Sequence, residues 1–357
     1  MTKERYVELD LAKGVGILLV ITGHIQYISE NFRNFIVAFH IPLFFIIAGM
    51  LIHIQQEDKK SLAKTVMKKI RSILQPYFIF SLIFIIAQYI AYRIGSSITL
   101  ELVKQNIYLT VIFFGMSVLW FLAALFVGEI AFLVVIKSCK KKLTPFILVA
   151  WAVLSCLANR RFLLEGGIYG ENPYLMYFYM TIIRIGMIAF FIGFGFYFWE
   201  LRQKIKIAPS VSLAAGVLCL AATIWISRIN GGTDLHYLVL QNEALYFAGA
   251  ILGSVGVVAI AYGVKGWMKY PVCRQLLKAL EFYGKNSLIV MMTHVDTYLM
   301  YVSTILVMHF NRDISDYNGN VKFCLELFLL VTAAEGIVIL IINRWFPWMI
   351  GKKRGDK

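Results

Sequence analysis

The sequence predicts an all-α, polytopic integral membrane protein with about ten transmembrane helices. Three observations predict it. Of the 357 residues, 60% are hydrophobic and only 15% charged, with a mean hydropathy of +0.73. Soluble globular domains do not reach that balance. Apolar windows of spanning length recur along the whole chain. The basic residues then sort by side. With both termini inside, inside segments hold 24 of the 35 Lys and Arg and outside loops hold 7. Lys13, Arg184, Lys322 and Arg344 lie within or at the edges of spans. That is the positive-inside pattern, so the net charge of +15 records topology and contact with anionic headgroups rather than nucleic-acid binding.

The expected spans are Leu11–Ile28, Phe35–Ile54, Ile73–Tyr92, Val118–Ile136, Leu143–Ala158, Tyr177–Trp199, Val211–Ser227, Glu243–Val264, Ser287–Met308 and Val321–Phe346. The first follows the leader Arg5-Tyr6-Val7-Glu8-Leu9-Asp10 and carries Lys13 and His24. Ionisable groups inside a span are costly and mark functional sites by default. Eleven residues separate the two, which returns to nearly the same helix face roughly 16 Å along the axis. Asp10 shares that face, three residues before Lys13. Burial within the span is expected to keep His24 neutral and basic. No small-residue cleavage site follows this run, so no cleaved signal peptide is expected.

Phe39-His40-Ile41-Pro42 opens the second span, and Pro42 predicts a kink or a broken first turn. His40 reads equally as a site member and as an interfacial histidine. The inner segment Gln55 to Leu74 carries six basic residues and apolar ones at helical spacing, which predicts an amphipathic surface helix. On it Lys68 and Arg71 stand one turn apart, suited to an anionic group such as phosphate. Its plainer reading is a basic loop on lipid headgroups. Glu101 to Met116 either lies at the outer interface or re-enters the membrane. Glu129 in the fourth span needs a partner, and Arg184 in the sixth marks a cavity, a salt bridge or a substrate contact. Asp234 and His236 belong to a loop, Arg228 to Asn242, that reads as solvated, with Glu243 directly after it. Neither it nor the five scattered cysteines has metal-ligand spacing, so no metal is expected and no disulfide framework is implied. The ninth span follows Gly284-Lys285-Asn286-Ser287 and carries His294 and Asp296. The tenth ends at the aromatic belt Trp345-Phe346-Pro347-Trp348, followed by the basic tail Lys352-Lys353-Arg354. No inverted repeat of the kind common in transporters is evident.

Together these motifs resemble the membrane-bound acyltransferase family 3, and within it the fucose 4-O-acetylase-like and polysaccharide O-acetyltransferase group. The resemblance rests on Asp10-Leu-Ala-Lys13-Gly-Val-Gly with His24 and on Phe39-His40-Ile-Pro42-Leu-Phe-Phe with Ala48-Gly49. It continues in Lys68-x-x-Arg71 before Pro76-Tyr77, in Leu119-Trp120-Phe121-Leu122, and in Gly284-Lys285-Asn286-Ser287-Leu288 before Thr293-His294. Lys13 and Lys68 stand where many relatives have arginine, and Ala48-Gly49 replaces Ser-Gly.

The resemblance implies a single membrane acyltransferase domain over residues 1–357, without a soluble domain. It would be a multi-pass protein of a bacterial cell membrane, with both termini cytoplasmic. It implies transfer of an acyl group, usually acetyl, from acyl-CoA to a hydroxyl of a sugar or glycolipid. The product is a cell-surface polysaccharide or lipid-linked glycan. His24 would be the general base, the role to which imidazole is best matched. Asp10 would orient Lys13, and Lys13, Lys68 and Arg71 would meet the phosphates of acetyl-CoA. His40, Trp120, Glu129, Arg184, Asn286, Ser287 and His294 are the further candidates. Expected partners are membrane lipid, acyl-CoA and the glycan acceptor. A transporter or flippase for a small or lipid-linked anion, with His24 as proton relay, is the first alternative. A non-catalytic scaffold or sensor is the second.

Overall fold

Proline and cap residues punctuate the chain. In the computed structural model, which describes residues 6–165 and 172–352, the helices that begin at Gln75, Thr144, Pro209 and Pro271 carry proline in their first turn. There its missing N–H leaves no hydrogen bond unmade. The helices are α1 (Val7–Gly23), α2 (Glu30–Val37), α3 (His40–Ile54), α4 (Leu62–Lys69), α5 (Gln75–Arg93), α6 (Leu100–Val111), α7 (Trp120–Ser138) and α8 (Thr144–Ala158). They continue with α9 (Pro173–Lys204), α10 (Pro209–Asn230), α11 (Glu243–Val264), α12 (Pro271–Lys285), α13 (Ser287–Thr293), α14 (Leu299–Phe310) and α15 (Val321–Trp345). The side chains of Thr99 and Asn242 cap α6 and α11 by accepting the amides of Leu102 and Leu245. Among the described residues there is no strand, only an isolated antiparallel bridge between Asp234 and Val239. Arg5, residues 166–171 of the outer loop, and Lys353 and Arg354 of the basic tail lie outside the described residues.

Among the described residues, eight helical stretches are long and apolar enough to cross a membrane, and they coincide with eight of the expected spans. The first and ninth spans depart from expectation. α1 is a 17-residue helix that stops at Gly23, five residues short of the expected Ile28. The ninth is broken: α13 ends at Thr293, a turn follows, and α14 starts after Tyr298, whose φ is +60°. Both breaks fall at a histidine. Pro42 lies in the first turn of α3, after a break from α2 at Ala38 and Phe39, as its position predicts. The inner segment is a short 3-10 turn at Glu57–Lys59 and then α4. A π-helical turn, Ile70–Leu74, joins α4 to α5 without a break, so Lys68 and Arg71 ride on the same helix as the third span. Such π turns are uncommon and cluster at functional sites. Glu101 to Val111 forms part of α6.

The chain falls into two compact units. The first comprises Met1–Ile47, Leu201–Asp234 and Val239–Ile341. The second comprises Ala48–Glu200, Leu235–Leu238 and Ile342–Lys357. Within the first, α1 crosses α12 at backbone contact. A Cβ on Gly284 would stand 1.8 Å from the Asp10 carbonyl oxygen, and one on Gly14 would stand 2.1 Å from that of Leu280. Only glycine fits at either place.

Candidate active site

That crossing fixes the start of α1. Asp10 is buried there, its Oδ1 2.8 Å from Lys13 Nζ across one helical turn. Glu8, also buried, pairs with Lys265 at 3.1 Å. Both acids sit in the first turn, where the helix dipole favours negative charge. Asn286, between α12 and α13, donates to the Phe282 carbonyl at 2.8 Å and so satisfies an end carbonyl of α12. Ser287 is the first residue of α13.

The histidines stand at two helix breaks. His24 does not lie inside a continuous helix. It follows the last residue of α1, with φ −86° and ψ −6°, and it is exposed. The buried imidazole is His294, at the break of the ninth span, with no exposed surface. The two rings meet edge to face, their centroids 4.9 Å apart. His294 Nδ1 lies 2.7 Å from the Val290 carbonyl oxygen. A carbonyl only accepts, so Nδ1 carries the proton and Nε2 the lone pair. That Nε2 is buried and has no hydrogen-bond partner among the described residues. His40 is fixed the same way by the Ile36 carbonyl at 2.8 Å, and it is half-buried.

Sequence reading passed over Glu335, although the rule that singled out Glu129 applies to it equally. Glu335 lies in α15 with no exposed surface, its Oε2 2.8 Å from Thr293 Oγ1. Thr293 also lies 2.9 Å from the Ile289 carbonyl oxygen. One hydroxyl proton cannot serve both. The Thr293 hydroxyl donates to one of these two acceptors at a time.

In the second unit, Lys64, Met67, Lys68, Arg71, Ser72 and Gly351 line an open cleft of about 420 Å³. Its cations are not equivalent. Lys68 is held by Glu57 Oε1 at 2.5 Å and by the Gln55 side chain. Next to it Lys69, buried, bridges Glu57 at 3.1 Å and Glu129 at 3.0 Å. Lys69 is thus the partner that Glu129 requires. Burial works against the charge on Glu57, yet Lys69 and Lys68 hold its carboxyl below the usual range.

Arg184 is 1% exposed and donates to the carbonyls of His236, Phe113 and Phe114 at 3.2, 3.4 and 3.0 Å. Its guanidinium also sits 5.0 Å from the ring centres of Phe114 and Trp120. These contacts tie two loops together. His236 belongs to this cluster, stacked on Trp120 with centroids 4.8 Å apart. The loop carrying it is therefore not simply solvated, since His236 is only 7% exposed. Burial and the nearby Arg184 hold its imidazole well below the usual histidine range. Among the described residues no group of His, Cys, Asp and Glu could hold a metal.

Matched against known proteins, residues 6–344 fit the model of acyltransferase family 3, described as an acyltransferase domain. No individually curated protein and no solved structure matches the chain. A family match over nearly the whole length, on a bundle of apolar helices with a histidine pair at two helix breaks, makes this chain a membrane protein belonging to acyltransferase family 3.

Proposed function

We propose that the chain is an O-acetyltransferase of the fucose 4-O-acetylase-like group, acting as one acyltransferase domain. It takes acetyl from acetyl-CoA and places it on a hydroxyl of a sugar in a cell-surface polysaccharide or lipid-linked glycan. The setting is a bacterial cell membrane with both termini cytoplasmic. The observation that carries the reading is the pair His24 and His294. One ring is exposed where substrate can reach it, and the other is buried behind it with a fixed tautomer.

A sugar hydroxyl is a poor nucleophile at neutral pH, and a base within hydrogen-bond reach typically gives 10²–10⁴ in rate. His24 is the base in this reading: its imidazole takes the hydroxyl proton as the new ester bond forms and yields it to the departing thiolate. Its acylation on the way is a second route. His294 supports the ring from its buried side. The residues present fit the donor's phosphates: Lys64, Lys68 and Arg71 line one cleft, with the Ser72 hydroxyl among them. Lys13, steered by Asp10, is a further cation for the donor. When bound, acetyl-CoA supplies the activated thioester.

The test is purified protein in nanodiscs with acetyl-CoA labelled in the acetyl carbon and the producing cell's own glycan. Transfer of label to glycan, lost in His24→Ala, supports the reading. Label that crosses a proteoliposome membrane with its thioester intact would instead favour the transporter.

A further inference from the structure

An imidazole that must meet a hydroxyl needs a fixed backbone, and the backbone at His24 is an unusual place to find one. α1 ends there without the left-handed glycine that commonly closes a helix: Gly23 is still helical and His24 stays right-handed. The last carbonyls of a helix have no partner within it and must find donors elsewhere. Backbone amides serve Val20, Ile21 and Thr22, and one side chain serves Gly23 and the carbonyls just after His24. Arg33, on α2, donates to the carbonyls of Gly23 at 3.4 Å, Ile25 at 3.0 Å and Gln26 at 2.8 Å. These residues flank His24 on both sides. No carboxylate pairs with Arg33 among the described residues. Its charge is therefore spent on the negative end of the helix dipole.

We infer that Arg33 is the positioning residue of this site: its guanidinium fork ends α1 at Gly23 and sets His24 against His294. The inference rests on the reading of His24 as base. Geometry explains why the residue is arginine. A planar fork reaches several acceptors from one fixed position, whereas an ammonium of equal charge is a point donor on a flexible stem. Arg33 touches the backbone around His24, and its hydrogen bonds among the described residues all go to backbone carbonyls. It acts through His24, not on substrate.

Three variants of the full chain in nanodiscs test this: Arg33→Ala, Arg33→Lys and His24→Gln. Each is assayed for acetyl transfer, and the first two also by nitrogen-15 NMR of the histidine rings, with His24→Gln assigning the His24 signal. Arg33→Ala is expected to lower kcat about 10²-fold, the scale of a 1 Å misplacement, with the KM for acetyl-CoA within about twofold of native. Its His24 ring signal is expected to change from one tautomer to an exchanging mixture. Added guanidinium should restore both, while His24→Gln should not respond to it. Arg33→Lys, which keeps the charge, should share the loss of kcat, and it carries the test if Arg33→Ala fails to insert. Native kcat in Arg33→Lys and Arg33→Ala overturns the inference. So does a loss of kcat with the His24 ring signal unchanged. Full activity of His24→Gln would instead overturn the reading of His24 as base. The NMR response to Arg33 would then still report whether Arg33 seats the ring.

Discussion

His294 Nε2 has no hydrogen-bond partner among the described residues, and His24, at the end of α1, is the exposed residue of the pair. The division of labour between them is measurable. His24→Gln keeps hydrogen bonding without basicity and is expected to lose transfer by 10²-fold or more, at matched membrane expression. Near-native turnover would show that the imidazole is structural. The cleft cations separate in the same way. A charge-assisted bond to phosphate contributes roughly 1.5–3 kcal/mol. Arg71→Ala should therefore raise the KM for acetyl-CoA about tenfold or more. Lys68→Ala should raise it less, because Glu57 and Gln55 already hold the Lys68 ammonium. Equal effects would show that Glu57 releases Lys68 to the donor. At the buried triad, Lys69→Met leaves Glu57 and Glu129 without their shared cation. Removing one partner of a buried pair costs roughly 3–5 kcal/mol, to be read as a fall in the midpoint of thermal unfolding.

At the scale of elements, much of the bundle was legible, and the exceptions are instructive. Eight spans could be read because twenty or so apolar residues admit only one arrangement in lipid, a helix with every backbone group paired. α1 and the ninth span were misjudged because hydropathy reports the solvent around a helix, not where its carbonyls find donors. His24 and His294 look alike in sequence, each a lone histidine in an apolar run. They differ in the turns that follow, where Arg33 donates to the Ile25 carbonyl after His24 and Tyr298 after His294 has positive φ. The Lys69 bridge was equally hidden, since 60 residues separate it from Glu129. Gly284, quoted only as part of a motif, proves to be the contact point of α12 with α1. Gly284→Ala is expected to lower the thermal midpoint and impair transfer together, by pushing Asp10 and Lys13 off their register. Unchanged stability would mean that the two helices part without cost.

For the molecule as a whole, the basic asymmetry predicts that both termini face the cytoplasm. Single cysteines in place of Lys59 and Arg312 should react with an impermeant thiol reagent from opposite sides of the membrane. Reaction of both from one side would remove the proposed topology. Acid should destabilise the fold through Glu57. Its carboxyl is held below the usual range, so the stability it contributes is present above the ordinary glutamate value and is lost as pH falls through its folded one. Glu57→Gln should shrink that acid-side loss. The two helix breaks carry one more consequence. Backbone that leaves the helical pattern in an apolar slab must be served by protein or by water. If water enters there, deuterium should report it. Peptides covering residues 24–29 and 294–298 should take up deuterium well before those from α11, whose amides are locked along 22 residues of unbroken helix. The chain would then hold two small wet places within an otherwise dry barrier, each beside a histidine, where a proton and a sugar can both be tolerated.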